Sequence, residues 1–241
     1  MGEKVNRQQR RRQATIAEIK ETALAQIAED GAANLSLGAI ARAMGMTAPA
    51  LYRYFDGRGA LVAALVIDAY DSMGDALENA GTDLPSGDHQ GRFLALLRAY
   101  RAWAVAHPEA YALMYGAPTA AAADMSAERA QQFQRAVLRS MGAMVCVLRA
   151  AHHAGCLVPP PEYDQPPPSV RGALEWMRVV LQDEAIPLGI LALALTTWLW
   201  ADGLIWQELH GHLPSALFGD GDFFRMESRV LAGRLGLGGE E

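Results

Sequence analysis

The sequence predicts an all-α protein, a small N-terminal helical unit followed by a larger helical bundle, and three observations lead there. Apolar residues recur at helical spacing, as in Ile16, Ile19, Ala23 and Ile27, or Leu37, Ile40, Ala41 and Met44. Period-two alternation bounded by turn residues is nearly absent from the sequence. Glycines and prolines cluster between the periodic segments, where they end helices instead of interrupting them.

Taken in order, the first helix carries Ile16 to Ile27 on one face and stops at Asp30-Gly31. The second follows the i, i+3, i+4, i+7 template from Leu37 and stops at Gly45, and a third runs from Ala48 to about Phe55. A longer helix over 58–80 carries Leu61, Leu65, Ala69, Met73 and Leu77 in one stripe. Residues 81–91 read as a loop, and helices follow at 92–106, 108–115 and 126–154. The stretch 158–169 contains six prolines and reads as a non-helical linker. Helices resume at 170–182, 187–210 and 223–235, and the tail 236–241 is expected to fray. The expected organisation is a flexible basic arm over 1–12, a domain over 13–57, a connecting helix over 58–80 and a second domain over 81–241.

Just over half the residues are hydrophobic, 51%, so a sizeable core is available. The net charge of −6 excludes a protein that coats nucleic acid without selectivity. The charge is uneven: residues 1–60 hold nine Lys and Arg against six Asp and Glu, and the first twelve hold five basic residues against one acidic. Such a chain meets a polyanion at one end only. Two cysteines make no disulfide framework, and no apolar segment follows Arg10-Arg11-Arg12 as an export signal would require. The most apolar run, 188–201, has 14 residues, shorter than the ~20 of a membrane span, and reads as a buried helix. The expectation is a cytoplasmic protein without a membrane segment.

The segment SLGAIARAMGMTAPALYRYF, 36–55, carries the functional reading. Ser36 is a helix cap, Ala41 is small enough for a close helix crossing, and Gly45 supplies the positive φ that ends the helix. Thr47 caps the next helix, with Pro49 in its first turn where a missing N–H costs nothing. Two short helices joined by a three-residue turn form a helix-turn-helix, whose second helix enters the major groove of DNA. Ala48 and Ala50 are small enough to let the backbone approach thymine methyls. Ser36, Thr47, Tyr52 and Tyr54 offer hydroxyls to phosphates, Arg58 can grip the backbone, and Arg53 is either a phosphate contact or a solvated charge. Arg10 to Arg12 form either a DNA arm or a solubilising tail.

At these residues the chain resembles the tetracycline-repressor (TetR) family, on an amphipathic first helix and the block LSLGAIARAMGMTAPALYRYFDGRGAL. The resemblance covers about residues 13–65. It implies a three-helix DNA-binding domain, a fourth connecting helix, and a C-terminal domain that dimerises and binds an effector. It places DNA contacts at Ser36, Thr47, Ala48, Ala50, Tyr52, Tyr54 and Arg58. Two further segments, RAYRAWAVAHPEAYALMYG and 198–213, look like a subgroup with a Trp and His-Gly signature. Here Asp202-Gly203 stands where that histidine is expected.

Trp103, Tyr111, Met114, Tyr115, Met141, Met144, Trp176 and Trp198, with Trp206, are candidates for the wall of an effector pocket, and equally for plain core. Cys146, His152, His153 and Cys156 lack an accepted metal-ligand spacing, so neither metal nor cofactor is expected. His210 and His212 read as charges at a helix end, and the GDGD at 219–222 lacks the remaining ligands of a calcium loop. The helices at 187–210 and 223–235 are the expected homodimer interface, and two-fold symmetry implies a palindromic double-stranded operator. The resulting expectation is a homodimeric repressor released from DNA by a small hydrophobic or aromatic effector. A regulator controlled by a protein partner is the alternative. An α-helical enzyme is a third, with no nucleophile elbow, phosphate loop or carboxylate pair to support it.

Overall fold

The computed structural model describes residues 7–116, 126–163, 165–211 and 214–237. Every regular element among them is helical. They are α1 (Arg7–Asp30), α2 (Leu37–Ala43), α3 (Ala48–Tyr52), α4 (Arg58–Asn79), α5 (His89–Ala106), α6 (Pro108–Gly116), α7 (Ala127–His153), α8 (Pro168–Leu181), α9 (Leu188–His210), α10 (Ser215–Phe218) and α11 (Asp222–Arg234). Short 3-10 turns lie at Ala32–Asn34 and Pro161–Tyr163. Two compact units result: one from residues 1–69 and 107–133, the other from 70–106 and 134–241.

The first unit closes around the stripes read from the sequence. Ile19, Ala23 and Ile27 of α1 are buried, as are Leu37, Ile40 and Ala41 of α2, Leu51 of α3, then Phe55, Leu61 and Leu65. Burying such aliphatic side chains contributes about 1.5–3 kcal/mol each, so the short α2 and α3 are held by their anchors more than by intrinsic helicity. A Lys20 to Asp68 ion pair at 2.6 Å ties α1 to α4.

In the second unit Met73 and Leu77 of α4, Phe93, Leu96, Leu97 and Tyr100 of α5, Met144 and Leu148 of α7 and Ile190, Leu191, Leu193, Ala194, Trp198 and Ala201 of α9 supply the core. Arg139 of α7 donates to both Asp75 and Glu78, and these hydrogen bonds raise its already high pKa. Arg101 of α5 pairs with Glu208 of α9 by two hydrogen bonds, one at 2.8 Å from Nε. Gly221 (φ 88) makes room for that pair, because a Cβ there would lie 2.3 Å from the Arg101 guanidinium carbon.

Several sequence expectations are corrected. Residues 7–12, read as a flexible arm, form the first turns of α1, as befits the good helix formers Arg and Gln; residues 1–6 lie outside the described set. Helix α5 starts at His89 because the Asp88 carboxylate accepts from Gly91 N at 2.8 Å and caps it. Helix α8 starts inside the proline stretch, with Pro168 in the first turn where its fixed φ suits a helix. Gly236 (φ 76) and Leu237 are folded back, with Leu237 N donating to Ala232 O at 3.0 Å and its side chain buried. The remaining tail, and His212, fall outside the described residues. Helix α9 has 23 residues, and an 18-residue stretch of it has a mean hydropathy of 1.6, long and apolar enough by composition to cross a membrane; half of that stretch is buried inside the protein.

Candidate nucleic-acid interface

The turn between α2 and α3 is set by Gly45 (φ 66). Met46 N donates to Ala41 O at 2.8 Å and Gly45 N to Arg42 O at 3.1 Å, the paired bonds of a left-handed helix terminus. Ser36 caps α2, its Oγ accepting from Ala39 N at 3.4 Å. Thr47 stands at the cap position of α3 but its hydroxyl makes no capping bond, so only its extended backbone (ψ 147) starts the helix. Pro49 sits in the first turn as the sequence indicates.

Helix α3 is pinned from behind by Leu51 and Phe55, which are 0% and 4% exposed. Its outer side is open: Thr47, Ala48, Pro49 and Arg53 are exposed, Tyr52 is 52% exposed, and Ala50 is half-buried. Tyr54 is half-buried beneath the Arg12 guanidinium, which lies 5.2 Å from the ring centre. Arg12 also donates to Arg53 O at 3.4 Å. Exposed Arg58 donates Nη2 to Ala32 O at 2.7 Å and so braces the 3-10 turn before α2. The structure thus brings Ala48, Ala50 and Tyr52 onto one short helix, with Thr47 at its cap and Tyr54 just past its end. Ser36 lies at the start of α2, and Arg58, the first residue of α4, braces the turn that precedes it. An outward helix of small and hydroxyl-bearing residues, on a platform carrying exposed arginines, suits base edges and flanking phosphates.

The proposed pocket residues are divided between the units. Tyr111, Met114 and Tyr115 belong to the first, with Tyr111 and Met114 buried and the two tyrosine rings 4.8 Å apart. In the second unit Trp103 is buried and donates Nε1 to Ser72 Oγ at 3.0 Å, Met144 is buried and Met141 half-buried. Trp198 stacks on Tyr100 at 4.7 Å. Trp206 stacks on His210 at 3.6 Å. Trp176 departs from the expectation: it is 58% exposed, since α8 turns Leu174 and Met177 inward and Trp176 to the opposite side.

A polar cluster in the second unit escaped the sequence reading. The Tyr100 hydroxyl donates to Asp202, and burial, then the Asp202 charge, pushes the Tyr70 hydroxyl up to about 12. Thr197 Oγ1 is buried without a hydrogen-bond partner. Trp198 and Asp202 are one helical turn apart on α9, a spacing visible in the sequence. Both cysteines are exposed and free, His152 Nδ1 lies 3.0 Å from Leu157 O, and among the described residues no three His, Cys, Asp or Glu are grouped to hold a metal.

The geometry is that of a helix-turn-helix regulator. Residues 19–65 match the family described as bacterial regulatory proteins, tetR family, and residues 93–230 match the tetracyclin repressor-like C-terminal domain. The chain belongs to the TetR family of transcriptional regulators. It is 38% identical over 115 residues to HTH-type transcriptional regulators of Mycobacterium bovis and Mycobacterium tuberculosis, a match spanning 48% of this chain and 49% of theirs. The match therefore spans about half the length of those relatives. A crystal structure assigned to a regulatory protein, SCO4313, is 31% identical with a TM-score of 0.71 and covers 93% of this chain and 98% of its own. A tetR-family regulatory protein from Rhodococcus RHA1 shares the fold at 17% identity, TM-score 0.64, covering 94% and 98%.

Proposed function

We propose that this TetR-family protein is a homodimeric, sequence-specific repressor that binds a palindromic operator and leaves it when a small hydrophobic or aromatic effector binds the C-terminal unit. The observation that carries this reading is α3: Thr47, Ala48 and Tyr52 face solvent while Leu51 and Phe55 fix the helix from behind. Ser36, Arg53, Tyr54 and Arg58 are assigned to the phosphates flanking the bases that α3 reads. The basic excess of residues 1–60 confines DNA to this end of the chain, and the cytoplasm is where it would meet DNA.

Dimerisation is assigned to α9 and α11, where Leu199 is 61%, Met226 49% and Val230 39% exposed. Large aliphatic side chains on neighbouring helices are the material of an interface core. A single reading unit buries too little surface for operator affinity, and a two-fold pair places two α3 helices in successive major grooves, ~34 Å apart. Effector binding then favours a conformer whose spacing no longer fits.

Selection of tight-binding duplexes from a random library, followed by gel shift at fixed salt, tests the reading. The expected product is a palindrome with half-sites about one helical turn apart, bound at least ~10³-fold tighter than random duplex. Enrichment of no motif would refute it. A thermal-shift screen of hydrophobic and aromatic compounds tests the effector, with a hit required to weaken the same gel shift.

A further inference from the structure

Helix α3 has only five residues, and its Thr47 hydroxyl provides no cap. A helix this short is not stable by itself, and its last carbonyls have no partner within the helix. Phe55 N and Tyr54 N both bond to Leu51 O, and among the described turn and cap bonds no backbone N–H donates to the Arg53 carbonyl. Arg12, forty-one residues upstream, fills that position: Nη1 donates to Arg53 O at 3.4 Å and the guanidinium lies 5.2 Å from the Tyr54 ring centre. A cation at a helix C-terminus is favoured electrostatically, and the face of a tyrosine attracts it further. Arg12 reaches this point because α1 continues as helix through residues 7–12. Arg7, Arg10, Arg11 and Arg12 are all exposed, and of the four only Arg12 has a described contact with the end of α3.

We propose that Arg12 is a positioning residue of the reading helix: it holds the C-terminal end of α3 and the Tyr54 ring in their DNA-reading geometry and does not itself neutralise a phosphate. The proposal rests on the DNA-binding reading above. It divides the basic N-terminus by role, with Arg12, though exposed, engaged by the Arg53 carbonyl and the Tyr54 ring, and its neighbours left to meet the polyanion.

The two roles differ in salt dependence. Each phosphate neutralised adds ~0.9 to the slope of log K against log salt, whereas a positioning contact adds nothing. The full-length protein is compared with R12Q, R12K and R11Q on the selected duplex and on a random duplex across a salt series. R12Q is expected to bind the selected duplex ~5- to 10-fold more weakly, from the combined loss of the ring and carbonyl contacts, with the slope and the random-duplex affinity unchanged. R12K, which keeps the charge but lacks the planar fork, recovers less than half of that loss on a logarithmic scale. R12Q and Y54L are expected to be non-additive in a double-mutant cycle. A slope lowered by ~0.9 in R12Q together with full recovery in R12K overturns the proposal in favour of a phosphate contact. Unchanged specific binding in R12Q overturns it as well. If the wild-type protein itself prefers no duplex, the parent reading has failed and not this one.

Discussion

Gly45→Ala isolates the conformational demand of the helix-turn-helix. A Cβ built at Gly45 meets nothing within 4 Å, so the substitution adds no clash, and its cost lies in placing an L side chain at φ 66. Left-handed geometry costs a non-glycine residue ~1–2 kcal/mol, and the stiffer unfolded chain of alanine returns ~0.4–1 kcal/mol. The expected net loss is ~0.5–1.5 kcal/mol. That lowers the melting midpoint by roughly 4–8 °C per kcal/mol if the DNA-binding unit melts alone, and roughly 2–4 °C if the chain melts as one. Gly45→Asn should recover most of the loss, because asparagine tolerates the left-handed region. All five tryptophans, from Trp103 to Trp206, lie in the second unit, so indole emission is blind to this change. Far-UV circular dichroism and amide exchange at α2 and α3 are the suitable assays. Unchanged stability in G45A, or G45N falling below G45A, would refute the argument.

Three further outcomes follow from the geometry. Ser36→Ala should cost ~0.5–1 kcal/mol in urea unfolding through loss of the cap, whereas Thr47→Ala should stay within ~0.5 kcal/mol yet weaken operator binding ~5-fold or more; equal stability losses would contradict the assignment. Because the folded pKa of Tyr70 is raised from 10.0 to about 12, its contribution is whole below pH 10 and is lost as the pH rises through about 12. Those two pH units correspond to roughly 2–3 kcal/mol, so wild type should lose that much more stability than Tyr70→Phe between pH 9 and 12.5, and parallel curves would disprove it. Leu199→Arg on α9 should yield a particle of the single 26.0 kDa chain mass by light scattering where wild type shows twice that, and an unchanged mass removes α9 from the interface.

How much of this was legible in the sequence depends on whether the cause is local. The α4 stripe of Leu61, Leu65, Ala69, Met73 and Leu77 is fully buried, because a 3.6-residue period is written into neighbouring residues. The same locality made Gly45 and the outward α3 readable. The starts of α5 and α8 were not, since Asp88 and Pro168 act as helix starters only in the right frame, and among turn residues both look like breakers. Composition could nominate Trp176 and Trp198 alike, but which side of a helix meets its neighbours is a tertiary matter, and only Trp198 is buried. Arg12 and Tyr54, or Tyr100 and Asp202, are separated by 42 and 102 residues, and no periodicity connects such pairs.

The exposed side of α3 is mostly hydrocarbon: the methyl groups of Ala48 and Ala50, the Pro49 ring and the half-exposed Tyr52. A reading surface of that kind has few donors with which to query each base individually. Under the proposed function, its discrimination would come from fit, through contact with thymine methyls and exclusion of water along the groove. Docking of such a surface on DNA would carry the negative heat-capacity change of apolar burial, superimposed on the salt-sensitive grip proposed for the surrounding arginines. Temperature would therefore tune recognition of sequence, and ionic strength the hold on the duplex as a whole.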